Sequence, residues 1–300
     1  MKLTKDAFSR AEEFIHSNAR KLDIELFEYH FKEKSKDDVL GELKKYQNSD
    51  GGFGNAIESD FRLTASSAMA TSVGLQYAVK VNAEANDEIV QRAIDYLVDT
   101  FDMEHSYWPR TPIEVNDVPH APWWHVDEIK LPTEEYWANP SAELLGYLYR
   151  FQNNVPKDLF TQINKRALDN LSNLDIIESL YCFMNWERAY QSVPEPLKSI
   201  IHEKTSNTLR SFIQKPETLG EIRIFWIAPS RKSFFLVLPG FVYWFYDYEI
   251  GQQREDGGWW PTWSWGQYDD VWPIAEKEWA GKITVQCLLA LDRFKLLEMS

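Results

Sequence analysis

Gln253-Arg254-Glu255-Asp256-Gly257-Gly258-Trp259 has a near copy far upstream, Gln47-Asn48-Ser49-Asp50-Gly51-Gly52-Phe53. Both stretches read Gln-x-x-Asp-Gly-Gly-aromatic, and they lie 206 positions apart (253 − 47). Internal repeats come before other signals, because each copy marks a unit that buries its apolar face only against its neighbours. The interval would hold about four units of roughly 50 residues, the upper end of ordinary repeat lengths. Within each copy the glycines permit positive φ where the chain reverses between helices, and the Asp can hold nearby amides. Asp50 and Asp256 are therefore read as turn-formers rather than as catalytic acids.

The segments C-terminal to the two copies also match. Thr71, in the small-residue run after the first, lines up with Thr284 after the second. The second copy then carries seven extra residues (284 − 71 against 253 − 47), which fits an added loop over 263–270. Helical spacing is expected over residues 4–20, with Phe8, Ala11, Phe14 and Ile15 on one face, and over 24–31. Ser35-Lys36-Asp37-Asp38 starts a helix that ends at Gln47. Residues 64–79, with small side chains on nearly every turn, predict a helix packed closely on all sides. Further helices are expected over 86–101, 157–171, 175–190, 195–213 and 279–297. Asn139-Pro140-Ser141 is a strong start signal for another over 142–151. Residues 221–245 leave strand and buried helix open, with Pro229 and Pro239 favouring short interrupted helices. Residues 102–137 have no helical period, and a loop of that length is usually functional or disordered; its Trp content argues against disorder. Repeated helical hairpins with no strand signal predict an all-α fold. Motif copies near both ends suggest a closed ring in one domain, residues 1–300.

Composition narrows the partners. The net charge is −14 and no Lys/Arg cluster stands out, so nucleic-acid phosphates are not an expected ligand. The charged amphipathic opening has no apolar signal-peptide core. The longest nearly uninterrupted apolar stretch, residues 234–246, is shorter than the ~20 residues a bilayer-spanning helix needs. Cys182 and Cys287 form no C-x-x-C pair and read as buried thiols of a cytoplasmic protein. The 13 Trp, 14 Tyr and 17 Phe exceed what packing obviously requires, and the Trp residues bunch. Aromatic faces bind cations and stack on sugars; they also fill cores.

Gln-x-x-Asp-Gly-Gly-[Phe/Trp] followed by a small-residue helix resembles the repeat of squalene and oxidosqualene cyclases and of protein prenyltransferase β-subunits. That resemblance implies an α/α toroid, in which inner helices line a central cavity and outer helices surround them. It is specific at Gln47 to Phe53 and Gln253 to Trp259, and between them only residues 139–149 echo the helix. The whole chain is also similar to a bacterial branch carrying this repeat, through residues 47–54, 119–124 and 256–261. Two departures stand against the family chemistry. Class II terpene cyclases protonate an alkene with the middle Asp of Asp-x-Asp-Asp, whereas Gln267-Tyr268 precedes Asp269-Asp270 here. Prenyltransferases hold zinc through Asp-x-Cys and a distant His, whereas Val285-Gln286 precedes Cys287. The resemblance carries the fold and neither chemistry.

Three groups of residues are candidates for a site. Trp259, Trp260, Trp263 and Trp265 with Tyr268, Asp269 and Asp270 combine aromatic faces that can stabilise a carbocation with carboxyls that, once desolvated, donate a proton. The same cluster is equally a helix-capping loop packed between hairpins. Asp117, His120 and His125 with Trp123 and Trp124 form the second group: His120 serves as general base or substrate hydrogen-bonder, or the loop closes one mouth of the cavity. Two His and an Asp could also hold a metal, but the surrounding Pro residues leave their geometry open and no metal is expected. Glu58, Asp60 and Arg62 follow the first turn and, in a closed ring, face the second Trp/Asp loop at one rim. Arg223, Arg231 and Lys232 could hold a diphosphate, but isolated basic residues of this kind usually lie on solvated faces. The leading expectation is a terpenoid-cyclase-like or prenyltransferase-like protein that binds a hydrophobic isoprenoid in an aromatic cavity, with acid-initiated cyclisation or isomerisation. It needs no cofactor, or Mg²⁺ if the substrate is a diphosphate. A carbohydrate-active toroid with two opposed carboxylates about 5–10 Å apart, and a noncatalytic ligand-binding toroid, are the alternatives.

Overall fold

Thr4 opens the first helix: its hydroxyl accepts the Ala7 N–H at 3.2 Å, satisfying one of the amides that a helix start leaves unpaired. Helix α1 (Lys5–Asn18) buries Ala7, Ala11, Phe14 and Ile15 as its spacing requires. Phe8 is half-buried against the rings of Phe27 and Phe31. Then come α2 (Lys21–Phe31), α3 (Lys36–Leu43), α4 (Ala68–Lys80), α5 (Glu88–Asp99), α6 (Ala138–Arg150) and α7 (Lys157–Asn173). The remaining helices are α8 (Leu180–Tyr190), α9 (Leu197–Phe212), α10 (Ile224–Ile227), α11 (Pro239–Ile250) and α12 (Trp272–Arg293). The computed structural model describes residues 1–128, 130–152, 155–212, 219–233 and 239–298. Among them the chain is all-α, with isolated β-bridges and no named strand. No described helix is long and apolar enough to cross a membrane.

Several helix starts differ from the spacing-based expectation, and three of them have a visible cause. Helix α4 begins at Ala68 rather than at 64, because Ser67 is the cap and its Oγ accepts the Ala70 N–H at 3.1 Å. Helix α8 begins after Ser179, which caps it in the same way. Helix α12 begins at Trp272, two turns before the expected 279. Pro273 sits in its first turn, where a missing N–H costs nothing. The open stretch 221–245 contains α10 and the first part of α11; residues 234–238 of it, and of the apolar run 234–246, lie outside the described residues.

The chain folds as two compact units, one of Met1–Val39 with Leu209–Ser300, the other of Leu40–Thr208. Each contains one copy of the repeated turn, built with the same bonds. In the second unit Gln47 Nε2 donates to Gly51 O at 2.9 Å and to Ile89 O on α5 at 2.8 Å. In the first unit Gln253 Nε2 donates to Gly257 O at 2.9 Å and to Ala7 O on α1 at 2.8 Å. Asp50 Oδ1 accepts the Gly52 N–H at 3.0 Å, and Asp256 Oδ1 the Gly258 N–H at 2.9 Å. The Phe53 N–H donates to Thr71 Oγ1 at 3.0 Å, and the Trp259 N–H to Thr284 Oγ1 at 2.9 Å. The alignment of Thr71 with Thr284 is thus one buried hydrogen bond made twice. Gly51 and Gly257 both have φ of +90°, and a Cβ would stand 2.2 Å from Arg92 O in one and 2.3 Å from Arg10 O in the other. Helix α1 therefore stands to the second turn as α5 does to the first, although α5 follows its turn in sequence and α1 lies at the opposite end of the chain. Leu3 and Leu297, near the two ends, pair as a parallel bridge.

A third turn, which the sequence does not announce, precedes α6. Trp108 takes the aromatic place: its N–H meets Ser141 Oγ at 3.3 Å and its Nε1 donates to Leu97 O at 2.7 Å. Trp259 Nε1 makes the matching bond to Glu249 O at 2.8 Å. Ser106, at φ +61°, stands where Gly257 does. Beyond the turn, α6 and α8 approach so closely that a Cβ on Gly146 would lie 2.7 Å from Ala189 Cα.

Candidate functional site

The residues of the repeated turns are occupied by the turns. Asp50 also accepts from Ser66 Oγ at 2.8 Å, and Asp256 from Trp260 Nε1 at 2.9 Å. Trp259 is fully buried. Trp260 lies edge-on to Phe14 with its ring under the Arg254 guanidinium, 5.0 Å from the centroid. Trp265 is buried against Trp272, with ring centroids 5.5 Å apart. Tyr268 is exposed at φ +53°, and its carbonyl accepts the N–H groups of Val271 and Trp272 at the start of α12, each at 2.9 Å. Asp269 and Asp270 are both exposed. The desolvation expected of a proton donor is absent at both, and this part of the loop starts a helix.

Trp263 is the member of this group that enters a larger constellation. It lies half-buried, 5.3 Å from the Trp279 ring at 81° and 6.2 Å from Trp226. Trp226 and Trp279 are themselves 6.2 Å apart, closing a cluster of three indoles. The Lys282 ammonium stands 4.5 Å over Trp279, in a residue only 4% exposed. Gln286 Oε1 accepts the Trp226 Nε1–H at 2.7 Å. Trp279, Lys282 and Gln286 recur at i, i+3 and i+7 on α12, which puts them on one helix face. The Trp263 indole N–H is buried without a hydrogen-bond partner. Sequence reasoning missed Trp226, Trp279, Lys282 and Gln286; the helical spacing of the last three was the available signal, and it lies wholly within the helix expected over 279–297.

In the second unit, Glu58, Asp60 and Arg62 belong to a segment paired with 119–121 of the same unit. Phe61 and His120 form an antiparallel bridge. The Arg62 N–H donates to Pro119 O at 2.9 Å, and the Ala121 N–H to Asp60 O at 2.7 Å. Glu58 and Asp60 are buried and Arg62 is half-buried. His120 is buried, and its Nδ1 donates to Val118 O at 2.6 Å. His120 Nε2 lies 3.2 Å from His125 Nδ1, the two rings nearly parallel at 19°. His125 Nε2 in turn lies 3.5 Å from Asp127 Oδ1. Trp124 packs edge-on against Phe61 beneath the Arg110 guanidinium. Asn116 clamps the loop through paired bonds with Val126 at 2.8 and 2.9 Å. Asp117 and Trp123 are exposed, so the structure joins His120, His125 and Trp124 and leaves those two outside. Among the described residues no group of three or more His, Cys, Asp or Glu is arranged to hold a metal ion.

Two buried charge clusters were not anticipated. Arg223, weighed as a diphosphate ligand against a place on a solvated face, donates to Glu249 Oε1 at 2.9 Å and to the Trp260 carbonyl. Burial pushes the Glu249 carboxyl above its usual range, against the opposing pull of Arg223. Across α6 and α8, Glu143 accepts from Tyr147 and from Arg188 Nη1, the latter at 2.6 Å. Burial, reinforced by Glu143, holds the Tyr147 hydroxyl well above its ordinary value. Burying a charge is costly unless it is paired, and both clusters are. Arg231 donates to Phe294 O at 3.0 Å, while Lys232 is exposed. Both cysteines are buried, which raises the Cys182 thiol to about 11 and Cys287 well above its ordinary value, leaving neither reactive. Compared with protein-family models, curated proteins and solved structures, the chain matches none.

Proposed function

We propose that this protein is an α/α toroid of the terpenoid-cyclase and prenyltransferase type, whose hairpins close into a ring around a site for a hydrophobic, isoprenoid-type ligand. The ring is supported by the equivalence of the two turns, the second being completed by α1 in the place that α5 takes at the first. The ligand is supported by one observation above others, the cluster of Trp226, Trp263 and Trp279 with the Lys282 ammonium beside it. Indole faces suit an apolar or cationic chain, and the ammonium suits an anionic head group. Asp269 and Asp270 are too exposed to serve as the buried acid of a cyclisation, so the reading is of binding, and Mg²⁺ enters only with a diphosphate ligand.

A second reading, a carbohydrate ligand, is favoured by the buried and unpartnered Trp263 indole N–H. A stacked sugar would offer that N–H a hydroxyl acceptor, which an isoprenoid would not. A thermal-shift panel of prenyl diphosphates with and without Mg²⁺, squalene, and oligosaccharides separates the two. A ligand at a hundred times its Kd stabilises by about 2.7 kcal/mol, a shift of roughly 2–10 °C. Isoprenoids are expected to give it and the Trp263→Ala variant to lose it. A shift from oligosaccharides alone would reverse the order of the readings, and an isoprenoid shift unaltered by Trp263→Ala would remove the indole cluster as the site.

A further inference from the structure

Helix α11 carries aromatic side chains that the core does not use. Phe241, Trp244 and Tyr248 are 38%, 48% and 43% exposed, and their i, i+3, i+7 spacing aligns them along one face. Contiguous exposed apolar surface of this kind marks interaction sites on otherwise polar proteins. At 1.5 Å of rise per residue the three stand about 4.5 and 6 Å apart along the helix axis, a step close to the length of one sugar ring. Phe241 and Trp244 are tilted 56° to each other with centroids 6.2 Å apart, so they offer separate faces rather than one wall.

The stripe runs into a small cleft of mixed lining, with Leu219, Ile222 and Ile224 beside its polar groups. Tyr248 belongs to both, and with Arg223, Phe245, Glu249, Gln252 and Thr262 it lines a hollow of about 50 Å³. Arg223 and Glu249 neutralise one another there, and the Arg223 Nε–H is buried without a hydrogen-bond partner. The cleft therefore offers guanidinium, carboxyl, amide and hydroxyl groups with no net charge from its ion pair, on a chain of net charge −14. Polyanions and anionic membranes are disfavoured by such a chain, and the aromatic faces with the uncharged Gln252 amide and Thr262 hydroxyl suit a neutral ligand. Stacking faces at sugar-ring intervals leading to mixed donors and acceptors match a molecule with apolar ring faces and hydroxyl edges.

We propose that the α11 stripe and the Arg223–Glu249 cleft form a surface site for a neutral oligosaccharide, with Trp244 and Tyr248 stacking on successive rings and Gln252 and Thr262 reading the hydroxyls of the terminal one. This site is separate in its residues from the Trp226–Trp263–Trp279 cluster and does not depend on it. The test is native gel electrophoresis of the full chain through gels containing soluble neutral polysaccharides (a β-glucan, a glucomannan, a xyloglucan, soluble starch), with polygalacturonate as the charged control. At least one neutral glycan is expected to retard the protein and polygalacturonate is not. Trp244→Ala and Tyr248→Ala are each expected to weaken retardation at least tenfold, and Gln252→Ala several-fold. These exposed positions leave the thermal response to prenyl diphosphates intact, so failure here is distinguishable from failure at the indole cluster. Absence of retardation by every neutral glycan, or retardation unchanged in the Trp244→Ala, Tyr248→Ala double variant, overturns the proposal. So does self-association or binding to neutral phosphatidylcholine vesicles that Trp244→Ala abolishes while no glycan binds, because the stripe would then have a different occupant.

Discussion

The turn at 47–53 and the turn at 253–259 are the same joint with different consequences. Gln, Asp, both glycines and the distant Thr make matching bonds in each. What differs is the environment of the aromatic residue. Phe53 lies against α4, where a Cβ on Gly74 would come within 2.6 Å of its ring. Trp259 instead reaches Glu249 O through its indole N–H, and the chain after it carries the insertion that supplies Trp263. The repeated residues therefore report how hairpins are joined, while the candidate binding residues lie at other positions, Trp263 in the insertion, Trp226 on α10 and Trp279, Lys282 and Gln286 on α12. Shared motif positions are a poor place to look for chemistry in this protein.

If the two joints are equivalent, equal damage should follow from equal changes. The largest effect is expected from Gly51→Ala and Gly257→Ala. Each forces an L residue to φ +90° and drives its Cβ against a helix carbonyl, at 2.2 and 2.3 Å, for a loss of about 3 kcal/mol or more. Urea denaturation of both variants checks this; a loss at one site with none at the other would break the equivalence. A smaller effect is expected from Thr71→Val and Thr284→Val, which keep the shape and orphan the buried amides of Phe53 and Trp259. Each should cost about 1–3 kcal/mol. Ser141→Ala, acting on the longer 3.3 Å contact at the third turn, should cost about 1 kcal/mol or less. A Ser141→Ala loss as large as the Thr losses would make the third turn a full copy of the others.

The legible parts of this fold are those in which a residue type is dictated by backbone geometry. Gly51 and Gly257 could be read because φ +90° and a neighbouring carbonyl exclude other residues, and Thr71 could be aligned with Thr284 because both serve one amide. The turn at 102–108 was illegible because, beside the local bond from the His105 N–H to Asp102 Oδ1 at 2.9 Å, it is held by Trp137, Ser141 and Gln162 far along the chain, and only Trp108 echoes the motif. The start of α12 was placed two turns late, at 279, although Pro273 is a residue that the first turn of a helix accepts. Asp269 and Asp270 were open to two readings, desolvated acids among the Trp residues that precede them or members of a helix-capping loop. Those indoles instead divide among a turn, a Trp272 contact and the Trp226–Trp279 cluster, and the carboxylates lie in solvent. The indole cluster itself could not be read as a unit. Trp226 comes from α10 and Trp279 from α12, and no local pattern links them.

Ser106 supplies the finest distinction between the joints. It occupies the glycine position of the third turn at φ +61°, the ordinary left-handed region, which a polar side chain enters at a cost of about 1–3 kcal/mol. Its hydroxyl is used there, accepting from Gln162 Nε2 at 2.8 Å, while its carbonyl accepts the Trp137 indole N–H at 2.9 Å. Ser106→Gly would relieve the backbone and lose the Gln162 bond, and would also give the unfolded chain more freedom to lose on folding. These terms oppose one another, so the variant should stay within about 1 kcal/mol of the wild type. That small change beside a loss several times larger in Gly51→Ala would show that the glycines are required by the approaching helix carbonyl more than by the reversal of the chain. A Ser106→Gly gain comparable in size to the Gly51→Ala loss would instead place the constraint in the backbone angle alone.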